Sequence, residues 1–362
     1  MRYLEEYRDP VLAGRLLERV TAVADRIGRP VTIMEVCGSH TQAIGRYGIR
    51  RLMPPGIRLI SGPGCPVCVT SASDVDRALW LAGRKGVIFA TFGDMMRVPG
   101  TEGKSLQKLK GAGADIRVVS SAMDCIALAQ GETKREVVFM GIGFETTAPT
   151  IASMVRSARR SGISNVSLFS VHKIVPPALR LLISDPRLNL DGFLCPGHVS
   201  VMTGSAAYSF LAEAGKAAVI TGFEPVDVIE GVWMLLEQLS LGRTEVAIQY
   251  RRAVRPEGNP RAMAVMAEVF EIGDAEWRGL GPIPKSGLRL RREYGEFDAE
   301  ARFGIPAFHS EEDPGCSCGA VLRGLTEPEA CSLFRQVCTP ANPIGPCMVS
   351  AEGSCSAHYR YG

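Results

Sequence analysis

The sequence lacks the features that would tie it to a membrane or to a polyanion. No stretch approaches the ~20 consecutive apolar residues that a membrane-spanning helix requires, and the opening MRYLEEYRDP is charged where a secretory signal would be apolar. The chain is therefore expected in the cytoplasm and off the membrane. Its 41 basic and 38 acidic residues leave a formal charge of +3 over 362 residues, with no basic block of five or more. That balance offers no footprint for nucleic acid, and none is expected as a partner. Two nucleotide motifs are also missing. GIGFETT (141–147) lacks the third glycine of G-x-G-x-x-G, and no G-x-x-x-x-G-K-[ST] loop occurs. A nicotinamide or flavin site and an ATP-driven engine are both disfavoured.

What the chain has in quantity is cysteine. A cytosolic protein keeps its thiols reduced, so eleven cysteines point to metal or redox chemistry rather than to a disulfide framework. Cys37, Cys65 and Cys68 fall early and Cys125 and Cys195 stand alone. Cys316, Cys318, Cys331, Cys338, Cys347 and Cys355 crowd the last 47 residues. Two groups imply two sites.

The rest of the composition, 46% apolar and 22% charged, is that of a globular protein. At ~100 to 200 residues per domain, two or three domains are expected. β-Branched runs followed by turn residues and amphipathic stretches occur at 31–36, 57–61, 86–91 and 116–120. The pattern resumes at 136–141, 166–171, 192–195 and 217–221. Strands spaced in this way fit βαβ units and parallel sheets. The polar segment 129–136 divides them into two sets of four, which suggests two α/β domains of similar topology, residues 20–128 and 129–242. An eight-stranded barrel is the alternative. From about 243 the rhythm is lost and a third, cysteine-rich domain is expected, taking in residues 1–19 as well.

In open α/β sheets, ligands bind beyond the carboxyl ends of the strands. The residues there are Cys37-Gly38-Ser39-His40, Gly62-Pro63-Gly64-Cys65-Pro66-Val67-Cys68, Gly143-Phe144-Glu145-Thr146-Thr147, Pro196-Gly197-His198-Val199-Ser200 and Gly222-Phe223-Glu224-Pro225. A thiol between a strand end and a helix start feels the helix dipole, which lowers its pKa and favours a thiolate nucleophile or ligand. Cys37 holds such a position. Cys65 and Cys68 are close enough to share an ion or form a reversible disulfide, so zinc, iron and redox chemistry all stay open. His40 is either a ligand or proton donor at the same site or a helix-capping residue. Thr146 and Thr147 are candidate caps for a helix starting near Ala148, and Glu145 is equally a base, a ligand or a structural group. His198 and His172 could each simply hydrogen-bond a loop carbonyl. The tail spacing, C-x-C-x12-C-x6-C-x8-C-x7-C, supplies two more thiols than a tetrahedral zinc or a cubane cluster takes. The excess favours a cluster with a spare thiol pair.

Five segments occur in one order: MEVCGSHT (34–41), GPGCPVCVT (62–70), GFETTAPT (143–150), CPGHVS (195–200) and the tail from CSCGAVLRG to GSCSAHY. In these, from about residue 30 to the end, the chain closely resembles the HypD family of hydrogenase maturation proteins. The resemblance implies a cytosolic scaffold with two α/β domains and a third domain carrying a [4Fe-4S] cluster. With a HypC-type chaperone it would hold the iron of the [NiFe]-hydrogenase centre. That iron would acquire cyanide from a HypE-type partner and carbon monoxide, giving the Fe(CN)2CO precursor for the hydrogenase large subunit.

Carried over residue by residue, the resemblance makes Cys37 the thiolate on the iron, with His40 beside it, and Cys65 and Cys68 a redox pair at the same cleft. Glu145, Thr146 and His198 would assist cyanide transfer or partner docking. The tail is also similar to ferredoxin:thioredoxin reductase in pairing a cluster with a nearby disulfide. That likeness assigns Cys316, Cys331, Cys338 and Cys355 to the cluster and Cys318 and Cys347 to an exchangeable pair. His358 adds a further candidate ligand. The competing readings are a cytosolic iron-sulfur thiol-disulfide oxidoreductase and, more distantly, a structural zinc protein.

Overall fold

The structure, a computed structural model, describes residues 5–308 and 310–362. Its frame is two open parallel sheets. The strands are β1 (Val31–Glu35), β2 (Ile57–Ser61), β3 (Val87–Thr91), β4 (Ile116–Val118), β5 (Glu136–Gly141), β6 (Val166–Ser170), β7 (Gly192–Pro196), β8 (Ala217–Thr221) and β9 (Val246–Ile248). The first sheet has the order β2-β1-β7-β8-β9 and the second β4-β3-β5-β6. All pairings within both sheets are parallel, for example Ile33 with Leu59 and Val138 with Ser167. Two separate open sheets exclude the eight-stranded barrel. Among the described residues no helix is long and apolar enough to cross a membrane.

The parallel α/β architecture and the cysteine-rich tail are as expected, but the strands are shared out differently. The division into 20–128 and 129–242 does not follow the pairing, because β1 and β2 join β7, β8 and β9, and β3 to β6 form an inserted unit. The physical reason is that β1 hydrogen-bonds on one side to β2 and on the other to β7, more than 150 residues later. Nor does the third region stand alone. Helix Pro10–Ile27 packs with helix Pro225–Ser240 over the outer face of the first sheet through Leu16, Val20, Val23, Val232 and Leu235. Residues 260–290 cover the second sheet, where Met266, Phe270 and Leu288 join Ile88, Val137 and Phe139. Within that segment Phe270–Trp277 (β10) and Gly281–Leu290 (β11) form an antiparallel hairpin.

Alternation along each strand sends one set of side chains outward and the other between the sheets. Ile33 and Leu194 face the outer helices, whereas Met34, Ile60 and Phe193 meet Phe89, Val138 and Phe169 of the second sheet in one central core. Cys65, Cys68, Cys195, Cys318 and Cys347 belong to that core. Both sheets are thus buried on both faces, the usual condition of parallel strands. Cys125 is a core residue of the second sheet and lies apart from the other thiols.

Candidate functional site

In the first sheet β1 lies between β2 and β7, so the strand order reverses there. Such a switch point opens a crevice beyond the carboxyl ends. Cys37 follows β1 and Pro196-Gly197-His198 follows β7, so both sit at that crevice. Cys37 is the N-cap of helix Gly38–Arg46 and is 8% exposed. The GPGC loop is fastened to it, since Gly38 N–H donates to Gly64 O at 2.9 Å. Gly64 allows no side chain, because a Cβ there would stand 2.2 Å from Cys37 N.

Two carboxylates flank Cys37. Glu35 Oε2 accepts from Cys37 N–H at 3.3 Å, and Oε1 accepts from the Thr41 hydroxyl at 2.5 Å. From the tail, Glu352 accepts from the Ser39 hydroxyl at 2.6 Å and packs so closely on Gly38 that a Cβ there would meet it at 2.5 Å. The lowered thiol pKa expected from the helix dipole is overturned. Burial dominates and, with Glu352, pushes Cys37 up to about 12, while the N–H groups of Ser39 and His40 pull the other way. The polypeptide surroundings thus favour the thiol over the thiolate at Cys37.

His40 is fully buried. Its Nε2 faces the Thr221 hydroxyl at 2.8 Å, Gly222 O at 3.0 Å and Thr221 O at 3.3 Å, and the two carbonyls, which can only accept, favour the tautomer with the proton on that nitrogen. Nδ1 then carries the lone pair and has no partner among the described residues. Burial lowers the imidazole to about 4, so it is neutral. Phe223 lies between two imidazoles, stacked on His40 at 4.8 Å and on the exposed His198 at 4.0 Å.

Glu145 comes from the second sheet, just beyond β5. One oxygen accepts from Val175 N–H at 3.1 Å and the other has no partner, and burial raises the carboxyl to about 7. Thr146 is half-buried beside it. Thr147 occupies the N-cap position of helix Ala148–Arg160 but makes no capping bond, and its hydroxyl donates to Ile142 O at 3.0 Å instead. His172 bonds the Ser170 hydroxyl at 2.9 Å rather than a loop carbonyl.

Cys65 caps the short helix Pro66–Val69, its sulfur accepting from Cys68 N–H at 3.3 Å. The two thiols are 4% and 1% exposed. Burial holds Cys68 well above the usual thiol range, and the Cys347 thiol, an immediate neighbour, opposes that rise. Cys347 in turn lies 2.8 Å, sulfur to sulfur, from Cys318. All six tail cysteines line one small pocket, together with Val321, Leu333, Phe334 and Met348. At its wall a Cβ on Gly345 would meet Cys316 Sγ at 2.6 Å. His358 is not in that lining. Its Nδ1 pairs with Glu329 at 2.7 Å and its Nε2 faces Glu327 at 4.0 Å.

Sequence reasoning passed over three residues of this region, Glu35, Tyr208 and Glu352, and gave Phe223 a place at a strand end but no role. Glu35 carried a readable signal, a carboxylate ending an otherwise apolar buried strand. Tyr208 and Glu352 gain their places through tertiary packing.

Fold and site together define an α/β protein with a buried thiol at a sheet switch point, joined by further thiols to a cysteine-lined pocket. The chain belongs to the HypD family of hydrogenase formation proteins (hydrogenase formation hypA family), whose profile matches residues 11–362. It is 48% identical over 372 residues to the hydrogenase maturation factor HypD of Rhodobacter capsulatus, covering 100% of this chain and 98% of the relative. Against HypD2 of Bradyrhizobium diazoefficiens identity is 47% over 370 residues, covering 100% and 97%. Against HypD of Escherichia coli K12 it is 44% over 367 residues, covering 100% and 98%.

Proposed function

We propose that this chain is a cytoplasmic scaffold on which the Fe(CN)2CO centre of [NiFe]-hydrogenases is assembled. A HypC-type chaperone shares the iron, a HypE-type partner delivers cyanide, and the finished unit passes on to the hydrogenase large subunit. The observation that carries this reading is the convergence on Cys37. The GPGC loop and the Glu352 segment close on Cys37 and Gly38 at the start of one helix, and His40, in the first turn of that helix, keeps a buried Nδ1 with no partner among the described residues.

Iron is the cargo here. A soft thiolate suits low-spin iron, and the metal displaces the thiol proton that burial otherwise retains on Cys37. The Nδ1 lone pair of His40 supplies a second donor or a hydrogen-bond acceptor within the same helix turn. We assign Glu145, Thr146 and His198 to the path by which the diatomic ligands arrive, His198 being the exposed member of the three.

The tail thiols are the donor set expected of an iron-sulfur site, and six on one pocket fit a cubane better than zinc. We assign Cys316, Cys331, Cys338 and Cys355 to a [4Fe-4S] cluster, which when bound supplies single electrons. The 2.8 Å contact supports Cys318 and Cys347 as the exchangeable pair. Cys68 beside Cys347 lets the Cys65/Cys68 pair communicate with it. One dithiol gives up two electrons and two protons in becoming a disulfide while the other disulfide opens, through thiol-disulfide exchange. An oxidoreductase acting on a partner's disulfide would need an accessible thiol at this end, and the burial of Cys65 and Cys68 speaks against it.

Infrared spectroscopy of the protein purified anaerobically with its partners tests the assignment, because bound cyanide and carbon monoxide absorb where polypeptide does not. Both kinds of band are expected. Their absence from an iron-loaded complex would refute the scaffold.

A further inference from the structure

Beyond His40, two more buried polar atoms at the strand ends have no partner among the described residues: Oε2 of Glu145 and the hydroxyl of Tyr208, which feels both Glu145 and Cys37. Buried polar groups are normally paired, so each points to a partner that the polypeptide does not supply. Tyr208 is the most informative. It lies in the short turn that follows the PGHVS helix Gly197–Thr203 and is completely enclosed. Burial acts first to keep its phenol protonated, and the Cys195 thiol, the Glu145 carboxyl and the Cys37 thiol add to this through space. Ser200, the hydroxyl alongside, donates to Pro196 O at 2.7 Å. Tyr208 is therefore an O–H donor with no acceptor at hydrogen-bond distance, although the Ser200 hydroxyl alongside works against the rise of its pKa, and it is close enough to Cys37 of its own sheet and to Glu145 of the other to feel both.

We propose that Tyr208 is the residue that recognises cyanide in the cargo, its hydroxyl donating a hydrogen bond to the nitrogen of a cyanide on the iron at Cys37. This rests on the scaffold reading. Cyanide bound through carbon presents a nitrogen lone pair with substantial negative charge, whereas the oxygen of bound carbon monoxide is a poor acceptor. A buried donor that stays unpaired with the wrong ligand discriminates strongly between two molecules of nearly equal size. A purely apolar cavity could not tell them apart by shape.

Tyr208→Phe removes only the hydroxyl. In the complex purified with its partners, the variant should keep its iron and its carbon monoxide band and show one cyanide band displaced or weakened. Ser167→Ala, which removes another unpaired buried hydroxyl on β6, should leave every band in place. As a second measurement, exchange of the wild-type complex into heavy water should move the hydrogen-bonded cyanide band, and Tyr208→Phe should abolish that sensitivity. Cyanide bands at wild-type position and intensity in folded Tyr208→Phe would overturn the inference, as would a wild-type complex with no deuterium-sensitive cyanide band. A wild-type complex with no cyanide or carbon monoxide bands would instead refute the scaffold, and the role of Tyr208 with it.

Discussion

Glu35 gives a prediction whose size can be worked from the structure. Burial is the main cause that raises its carboxyl from 4.5 to about 7, against the bonds from Ser61, Thr41 and Cys37 and the charge of Arg50. In the unfolded chain Glu35 ionises at its ordinary value, so between pH 4.5 and 7 the folded protein holds a proton that the unfolded chain has released. Its contribution to stability is full below pH 4.5 and is lost as pH rises through about 7. At 1.36 kcal/mol per unit the loss is about 3 kcal/mol above pH 7.

Glu35→Gln removes the titration and keeps the shape. The amide oxygen can accept from Cys37 N–H while the NH2 donates to Thr41 Oγ1, whose proton turns to Cys37 O, already 3.3 Å away. The assay is urea denaturation of wild type and variant at pH 5 and pH 8, read as the difference between the two proteins, because Glu145 and the buried histidines titrate in both. Near pH 5 the proteins should be nearly equal, and at pH 8 the variant should be more stable by up to about 3 kcal/mol. A difference that is the same at both pH values would show that Glu35 stays ionised in the folded protein and would refute the reasoning.

Gly64→Ala should be severe, because the new Cβ would stand 2.2 Å from Cys37 N and 2.5 Å from its Cα. A loss of about 3 kcal/mol in melting experiments is expected, with Cys37 newly open to alkylating reagent, and an unchanged melting curve would contradict the close packing. Ala at Cys316, Cys331, Cys338 or Cys355 should abolish the brown colour and the acid-labile sulfide of anaerobically purified protein. Cys318→Ala should keep both, and the opposite pattern would reverse the partition of the tail thiols. Differential alkylation with mass spectrometry should find Cys65 and Cys68 cycling between dithiol and disulfide, with Cys347→Ala uncoupling them from the tail. Two thiols inert to oxidant would mark the C-x-x-C as structural.

The strands were legible because parallel strands buried on both faces read as continuous apolar runs. EVVFMG, IRLIS and AAVIT occupy β5, β2 and β8 residue for residue. Their partnership was not legible, since nothing local to VTIME states that it will pair with GFLCP. The polar segment that appeared to separate two domains is the end of helix Asp124–Gly131 and the turn into β5. The hairpin escaped notice because its exposed face is polar and prolines interrupt it at 282 and 284. At the site, residues next to strand ends could be found from strand positions alone, which is why Cys37, Glu145 and His198 were named. The ionisation of Cys37 could not, because the helix dipole is a local feature and burial under Glu352, more than 300 residues away, is not. Phe223 was placed at a strand end, but its stacking on rings from separate loops was not legible, and Tyr208 becomes a site residue only through the packing of the core.

The central claim is that the Cys37 sulfur binds the iron that carries cyanide and carbon monoxide, and Cys37→Ser tests it most directly. Serine keeps the size and the helix-start position but supplies a harder and far less acidic donor. The infrared spectrum of the anaerobically purified complex should lose its cyanide and carbon monoxide bands while circular dichroism and the brown tail chromophore remain. Bands of normal intensity in a well-folded Cys37→Ser protein would mean that Cys37 is only a small buried core residue and would contradict the account.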